Sequence, residues 1–232
     1  MSFDRYVYPG TNVLKNKFNI TDSVELERAE RGVTLANILE MADNDITGRF
    51  DAVHLRSIHK RIFGNIYDWA GEFRDIQIWK GGTEFSAPEK IGSDLDTLCS
   101  RIKAADYFRG MPRDATANAL ADVMIDLNQI HPFREGNGRT QRAFVGQLAQ
   151  NAGYYLDFTK ISENDMRDAS FSAAHGRRNL MQYLFRSSIS GDGMQAMKKP
   201  PISDKRSERL LGRLGELFDS ICGKDDEGEL EF

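Results

Sequence analysis

Apolar positions along this chain recur mostly three and four residues apart, which predicts a helical body with one interruption. The first helix is expected from Thr21 or Asp22 to about Met41, with Leu26, Val33 and Ile38 among its apolar positions. A second runs from about Phe50 to Phe63, where Gly64 is placed to end it in a left-handed cap. Ser86-Ala87-Pro88 reads as the start of a third, proline standing where its missing N–H is harmless, and that helix extends to about Tyr107. A fourth fills 113–130 on Ala117, Leu120, Val123, Met124 and Leu127, and ends at His131-Pro132. A fifth spans about Arg139 to Gly153, Ser162 caps a sixth, and a seventh covers about 175–190. Residues 1–20 form an irregular, aromatic extension with a turn at Pro9-Gly10, and 21–195 the main domain. Residues 196–232 hold a linker, an amphipathic stripe (Leu210, Leu211, Leu214, Leu217, Phe218, Ile221) and an acidic tail that reads as a truncation point. No internal repeat appears.

The interruption is Arg74 to Lys80, which alternates with period two. Gly81-Gly82 can supply the positive φ values of a tight turn, and Thr83-Glu84-Phe85-Ser86 the return strand. The competing reading is an ordinary connection between helices. An isolated hairpin is marginal in water, so something must hold this one down or use it. The expected class is all-α: a helical bundle with a short β-hairpin flap.

Composition mainly excludes. The chain has 232 residues, enough for one full core, and a net charge of -4. With a pI near 5.7, that charge argues against a nucleic-acid binder carried by overall charge. No apolar run approaches a membrane span of roughly 18 residues, and Met1 to Arg5 lack the apolar core of a secretory signal. Cys99 and Cys222 make neither a disulfide framework nor a metal-ligand spacing.

The run His131-Pro132-Phe133-Arg134-Glu135-Gly136-Asn137-Gly138-Arg139-Thr140-Gln141-Arg142 changes the picture. Gly136-Asn137-Gly138 feeds directly into a helix, so consecutive amides meet at a helix N-terminus, where an anion is favoured. Glycines let backbone approach a phosphate closely, and Asn137 adds a side-chain donor. Arg139 and Arg142 share one face of the first turn, where the helix dipole disfavours cations. Phosphate oxygens would explain them. Glu135 is a natural ligand for Mg²⁺, which takes one or two carboxylates plus phosphate oxygens. His131 can act as a general base at neutral pH. A type I′ turn at Asn137-Gly138 would need alternating flanks, and these are helical. A dinucleotide fingerprint lacks its strand and third glycine, a Walker loop its Gly-Lys-Ser/Thr. His131 taken alone could be a helix-end residue satisfying carbonyls.

The same run resembles the Fic-family signature H-x-F-x-(D/E)-G-N-G-R-x-x-R at every fixed position. Asp68-Trp69-Ala70-Gly71-Glu72-Phe73-Arg74 is similar to that family's D-W-A-G-x-x-R segment before the flap, and Asp157-Phe158-Thr159-Lys160-Ile161 to the stretch after the motif helix. The likeness covers about residues 25–190. Tyr6-Val7-Tyr8-Pro9-Gly10 and Val13-Leu14-Lys15-Asn16-Lys17 resemble Fic effectors that Bartonella species deliver by type IV secretion.

The resemblance implies a Fic-fold bundle that transfers AMP from ATP to a Ser, Thr or Tyr hydroxyl of a target protein, with a host protein such as a small GTPase the expected target. It implies His131 as base, Phe133 as a core anchor, and Glu135 holding Mg²⁺ between the α- and β-phosphates. Gly136, Asn137 and Gly138 would cradle the phosphates, with Arg139 and Arg142 at the β/γ end. The flap, about Asp75–Ser86, would clamp the target as an added strand, its tip (Lys80, Gly81, Gly82, Thr83, Glu84) influencing which protein is chosen. The resemblance further implies a bacterial cytoplasmic origin and delivery to host cytosol without a cleaved signal; no nucleic-acid or membrane partner is expected, from the charge and the lack of a long apolar run. Phosphocholine or UMP transfer, AMP removal, and a non-catalytic binding module are the alternatives.

Many Fic proteins carry an inhibitory helix, (S/T)-x-x-x-E-(G/N). The 21–41 helix lacks it, and Thr159 to Asn164 fits only formally, Ser162 being better explained as an N-cap. Inhibition is therefore expected from a separate, antitoxin-like protein. His54 and His59 read as surface or packing residues, Trp69 and Trp79 as core and flap packing. His175 reads as a cap or solvent residue at a helix start.

Overall fold

The computed structural model describes residues 4–43, 48–80 and 83–193. The Gly81-Gly82 turn and the 210–221 stripe lie outside the described residues, as does the end of the chain.

Seven helices form the described body: α1 (Ser23–Asp43), α2 (Ala52–Phe63), α3 (Ile91–Ala104), α4 (Arg113–Ile130), α5 (Asn137–Asn151), α6 (Glu163–Ala174) and α7 (Asn179–Ser188). α4 is the hub. Its Ala117, Leu120 and Ala121 are wholly buried, and α3, α5, α6 and α7 pack around it. Each such leucine contributes about 1.5–3 kcal/mol of burial. α2 lies on α5, and α1 on α2. The cap of α2 is Asp51, whose side chain accepts from His54 N at 2.8 Å.

Helix ends depart from expectation where local backbone intervenes. Gly64 ends α2 at φ -62, in right-handed geometry and not in a left-handed cap. The third helix stops at Ala104, because Asp106, Tyr107 and Phe108 all take positive φ and turn Phe108 into the core. Gly176 at φ +80 closes α6, so α7 starts at Asn179 and His175 caps the end of α6.

The hairpin is shorter than the alternation implied. Trp79–Lys80 (β1) pairs antiparallel with Thr83–Glu84 (β2), Trp79 opposite Glu84, while 74–78 are not strand. Its base is held from outside the pair. Gln129 Nε2 donates to Glu84 O (2.9 Å), Ser86 N to Gln129 O (3.1 Å) and Ser86 Oγ to Asp94 Oδ2 (2.7 Å). A second pair, Tyr155–Leu156 (β3) with Ile189–Ser190 (β4), is too short for any period to announce. The N-terminal arm joins Val7 to Leu14 and hydrogen-bonds to the flap base through Tyr6 Oη and Asp75 Oδ1 (2.9 Å).

Candidate active site

The α4–α5 loop gathers the chemistry. His131 ends α4 in left-handed backbone, φ 48, ψ 61, which turns the chain sharply beneath the flap. That conformation is uncommon outside glycine, and here the surroundings enforce it. Arg74, buried and distant in sequence, donates to His131 O (2.9 Å), Ile76 O (2.7 Å), Ser86 O (2.5 Å) and Ile130 O (3.3 Å). One guanidinium thus ties the α4–α5 loop to both legs of the flap.

The His131 ring stacks on Phe85 (centroids 3.8 Å apart), and its Nδ1 lies 3.2 Å from Asn128 O. A carbonyl only accepts, so Nδ1 carries the proton and Nε2 holds a free lone pair. Burial, with lesser contributions from Lys80 and Arg74, lowers the His131 pKa to about 4 against the bond to Asn128. The imidazole is neutral at physiological pH and is a proton acceptor.

α5 opens with no side-chain cap: its N-cap is Gly136 at φ 80. The amides of residues 137–139 therefore lack side-chain partners, and with the helix dipole behind them they could hold an anion. Glycine is required at 136 twice over, by φ and because a Cβ there would stand 2.3 Å from the Phe63 ring. Gly136→Ala is expected to cost about 2–5 kcal/mol, from left-handed strain and overpacking. Urea denaturation would measure it, and an unchanged midpoint would contradict it.

Asn137 is buried, its Oδ1 accepting from Phe133 N (2.9 Å) and its Nδ2 donating to Phe133 O (2.7 Å). Its side chain closes the loop, and its backbone N–H is what it offers an anion. Phe133 lies under the loop, stacked on His59 at 3.9 Å. The two arginines part company. Arg139 turns to α1, bonding Glu30 Oε1 (2.6 Å) and Thr34 Oγ1 (3.1 Å), with Glu135 Oε1 at 3.6 Å. The second oxygen of Glu30 accepts from Tyr67 Oη. Arg142 has no ion pair among the described residues and stands open to the cavity. Desolvation, then Arg139, lowers its pKa, while Glu163 opposes that shift without coming within ion-pair distance.

The resulting cavity, about 1430 Å³, joins His131, Glu135, Asn137, Gly138 and Arg142 to Lys80 and Thr83 of the flap. Gly136, Arg139, Glu84 and Phe133 do not line it. The opposite wall, Met166, Ser170, Phe171 and Ala174 of α6, was not legible as site in the sequence. Half-exposed Phe171 signals it only once placed. Trp79, expected as packing, is 62% exposed and faces this cavity. Asp4 of the N-terminal arm also lines it and pairs with Arg134 at 2.8 Å.

Among the histidines dismissed as packing, His54 is buried against Phe50 and Phe144. His59 is wholly buried, its pKa lowered to about 4 chiefly by burial, and it touches the loop directly, its Nε2 3.0 Å from Glu135 O. Among the described residues no helix is long and apolar enough to cross a membrane.

Comparison with known proteins matches this region. The Fic/DOC family model covers residues 49–149. Protein adenylyltransferase VbhT of Bartonella schoenbuchensis is 33% identical over 213 residues, 92% of this chain. The chain spans only 44% of VbhT's length. It spans 89% of a probable protein adenylyltransferase, y4lH, of Sinorhizobium fredii, at 37% identity over 75% of this chain. Among solved structures, BepC of Bartonella tribocorum with bound AMPPNP aligns with TM-score 0.75 at 28% identity, over 81% of this chain and 97% of that one. An N-terminal Fic domain from Bartonella quintana with bound ADP aligns with TM-score 0.76 at 31% identity, covering 81% and 95%. With the signature carried on the α4–α5 loop and the first turn of α5 of this helical scaffold, the chain belongs to the Fic/DOC family.

Proposed function

We propose that this chain is a protein adenylyltransferase, moving AMP from ATP to a Ser, Thr or Tyr hydroxyl of a protein segment laid along the flap. The observation that carries the reading is that His131, its Nδ1 bound to Asn128 O and its Nε2 left as the acceptor, lines a cavity that also holds the uncapped start of α5. The hydroxyl would give its proton to Nε2 as its oxygen bonds to the α-phosphorus. The bond from that phosphorus to the bridging β-oxygen breaks, and pyrophosphate leaves. The amides of 137–139 and the Arg142 guanidinium would hold the phosphates and meet the charge that develops, with positioning and electrostatics supplying most of the acceleration. Arg139, bound to Glu30, acts mainly by orienting Glu135.

Among the described residues no cluster of three or more His, Cys, Asp or Glu is arranged for a metal. Glu135, a single carboxylate whose Oε1 also accepts from Gly136 N (2.8 Å), suits Mg²⁺, which completes its shell from phosphates and water. When bound, that ion would neutralise phosphate charge. The adenylyltransferase relatives and the two nucleotide-bound structures support the reading. A host protein such as a small GTPase, met in host cytosol after secretion, is the proposed target class by analogy with the Bartonella effectors.

Incubating the chain with α-labelled ATP, CTP, GTP or UTP and cell lysate tests this. Label from ATP alone, lost in His131→Ala, is the expected result. Label from UTP would point to UMP transfer. No label from any nucleotide, with His131→Ala identical, would favour a binding module.

Arg142, lacking a carboxylate partner among the described residues, also supports inhibition by a separate protein supplying one. Glu163→Gly is accordingly expected to leave self-modification unchanged. A large rise would place the inhibitory group in this chain.

A further inference from the structure

Alternate residues of the loop into α5 are gripped by side chains from outside it. Arg74 holds His131 O and Asn137 holds Phe133 at both N and O, each within a segment that carries the family resemblance. The third comes from a residue outside the quoted motifs. His59, on α2, reaches Glu135 O with Nε2 at 3.0 Å, 76 positions along the chain.

The chemistry of this contact is fully determined. Gly71 N donates to His59 Nδ1 at 2.8 Å, so Nδ1 must be the unprotonated nitrogen. Nε2 then carries the hydrogen and donates to Glu135 O. Both ring faces are covered, by Phe133 at 3.9 Å and Phe63 at 4.8 Å. With 0% exposure, the side chain has one tautomer and one place to be. Packing alone would be served by phenylalanine, since burying an imidazole is unfavourable unless its polar atoms are used. Here both are used, and each holds backbone.

What is held is the peptide between Glu135 and Gly136. Its oxygen is bound by His59, and its N–H by the Glu135 carboxylate at 2.8 Å. Glycine at 136 leaves this peptide free to rotate, because Gly samples both signs of φ at little cost. A rotated peptide would turn the carbonyl dipole toward the cavity and release the carboxylate from the N–H. It would also tilt the amides that follow. We propose that His59 is a positioning residue that locks the Glu135–Gly136 peptide with its oxygen toward the core, thereby aligning the Glu135 carboxylate and the amides of 137–139 for the phosphates. The inference rests on the nucleotide reading above, and it extends that site to α2.

Three variants of the full chain separate positioning from packing. His59→Phe keeps the ring stack and loses both hydrogen bonds. His59→Gln keeps a donor near the Nε2 position. His59→Asn keeps an acceptor near Nδ1 but falls short of Glu135. Positioning predicts a KM for Mg-ATP raised on the order of tenfold in Phe and Asn, with kcat changed less, and recovery to within about threefold of wild type in Gln. Packing alone predicts the reverse order, Phe near wild type and Gln impaired, and that order would overturn the proposal. Should the Phe variant fail to fold, Gln against Asn decides alone.

Hydrogen exchange at the Gly136 amide needs no nucleotide and no transfer. It is expected to speed up at least tenfold in Phe and Asn and to stay slow in Gln. Unchanged exchange in all three would overturn the lock even if the chain transfers AMP. Faster exchange in a chain whose wild type transfers nothing would uphold the lock and count against the adenylyltransferase reading instead.

Discussion

His131→Ala is expected to lower AMP transfer by about 10²–10⁴-fold while the chain still folds and binds Mg-ATP. The ring is half-buried, and among the described residues its Nδ1–H bond to Asn128 O is the one side-chain hydrogen bond given up. Nucleotide affinity should hold, because the proposed phosphate contacts belong to α5 and Arg142. Initial rates with α-labelled ATP check the first part, and calorimetry with Mg-ATP the second. Retained transfer would remove the imidazole from the mechanism. The same residue predicts a pH profile. Its folded pKa, lowered from 6.5 to about 4, means the proton-accepting form survives well below pH 6.5. The acid limb of kcat/KM should therefore lie nearer pH 4 than 6.5. The triphosphate's negative charge should move the limb upward for kcat, since a nearby anion favours the imidazolium.

Arg74→Leu is the second change expected to have a large effect. It would strand four carbonyls, those of His131, Ile76, Ser86 and Ile130, three of them at the flap or the catalytic turn. At about 1–3 kcal/mol for each unsatisfied buried group, non-additively, the loss should reach at least about 3 kcal/mol. For a chain of this size that is a fall in Tm of roughly 6–12 °C. Transfer should drop further than stability, because the left-handed backbone at His131 loses what enforces it. Arg74→Lys should rescue little: an ammonium lacks the planar fork that reaches four acceptors. A melting curve matching wild type would contradict this account of how the flap is anchored.

The helices were legible because their apolar spacing is regular and their caps are local. Ser162 caps α6 by accepting from Asp165 N at 3.1 Å, as its position implied. The ends that moved were set by backbone no pattern encodes, such as the three positive φ values at 106–108. The hairpin's existence was legible from alternation, but not its brevity. Arg74 takes the Ile76 carbonyl into a side-chain hydrogen bond and Gln77 Nε2 that of Phe85, in place of a ladder. At the site, the 131–142 run announced an anion-binding loop and a base. It did not reveal that Arg139 belongs to Glu30 or that Asn137 closes on Phe133. Those partners lie on other elements or fold back locally, and periodicity carries neither. The five-residue spacing of His54 and His59 suits no helical metal face, and spacing is blind to a histidine whose partners are backbone atoms.

A crystal structure of the chain with Mg²⁺ and a non-hydrolysable ATP analogue tests the central claim most directly. The account predicts phosphate oxygens about 2.7–3.2 Å from the amides of residues 137–139. It also predicts Arg142 on the phosphates and His131 Nε2 facing the α-phosphorus. Phosphates bound elsewhere in the cavity, with the start of α5 left empty, would contradict it.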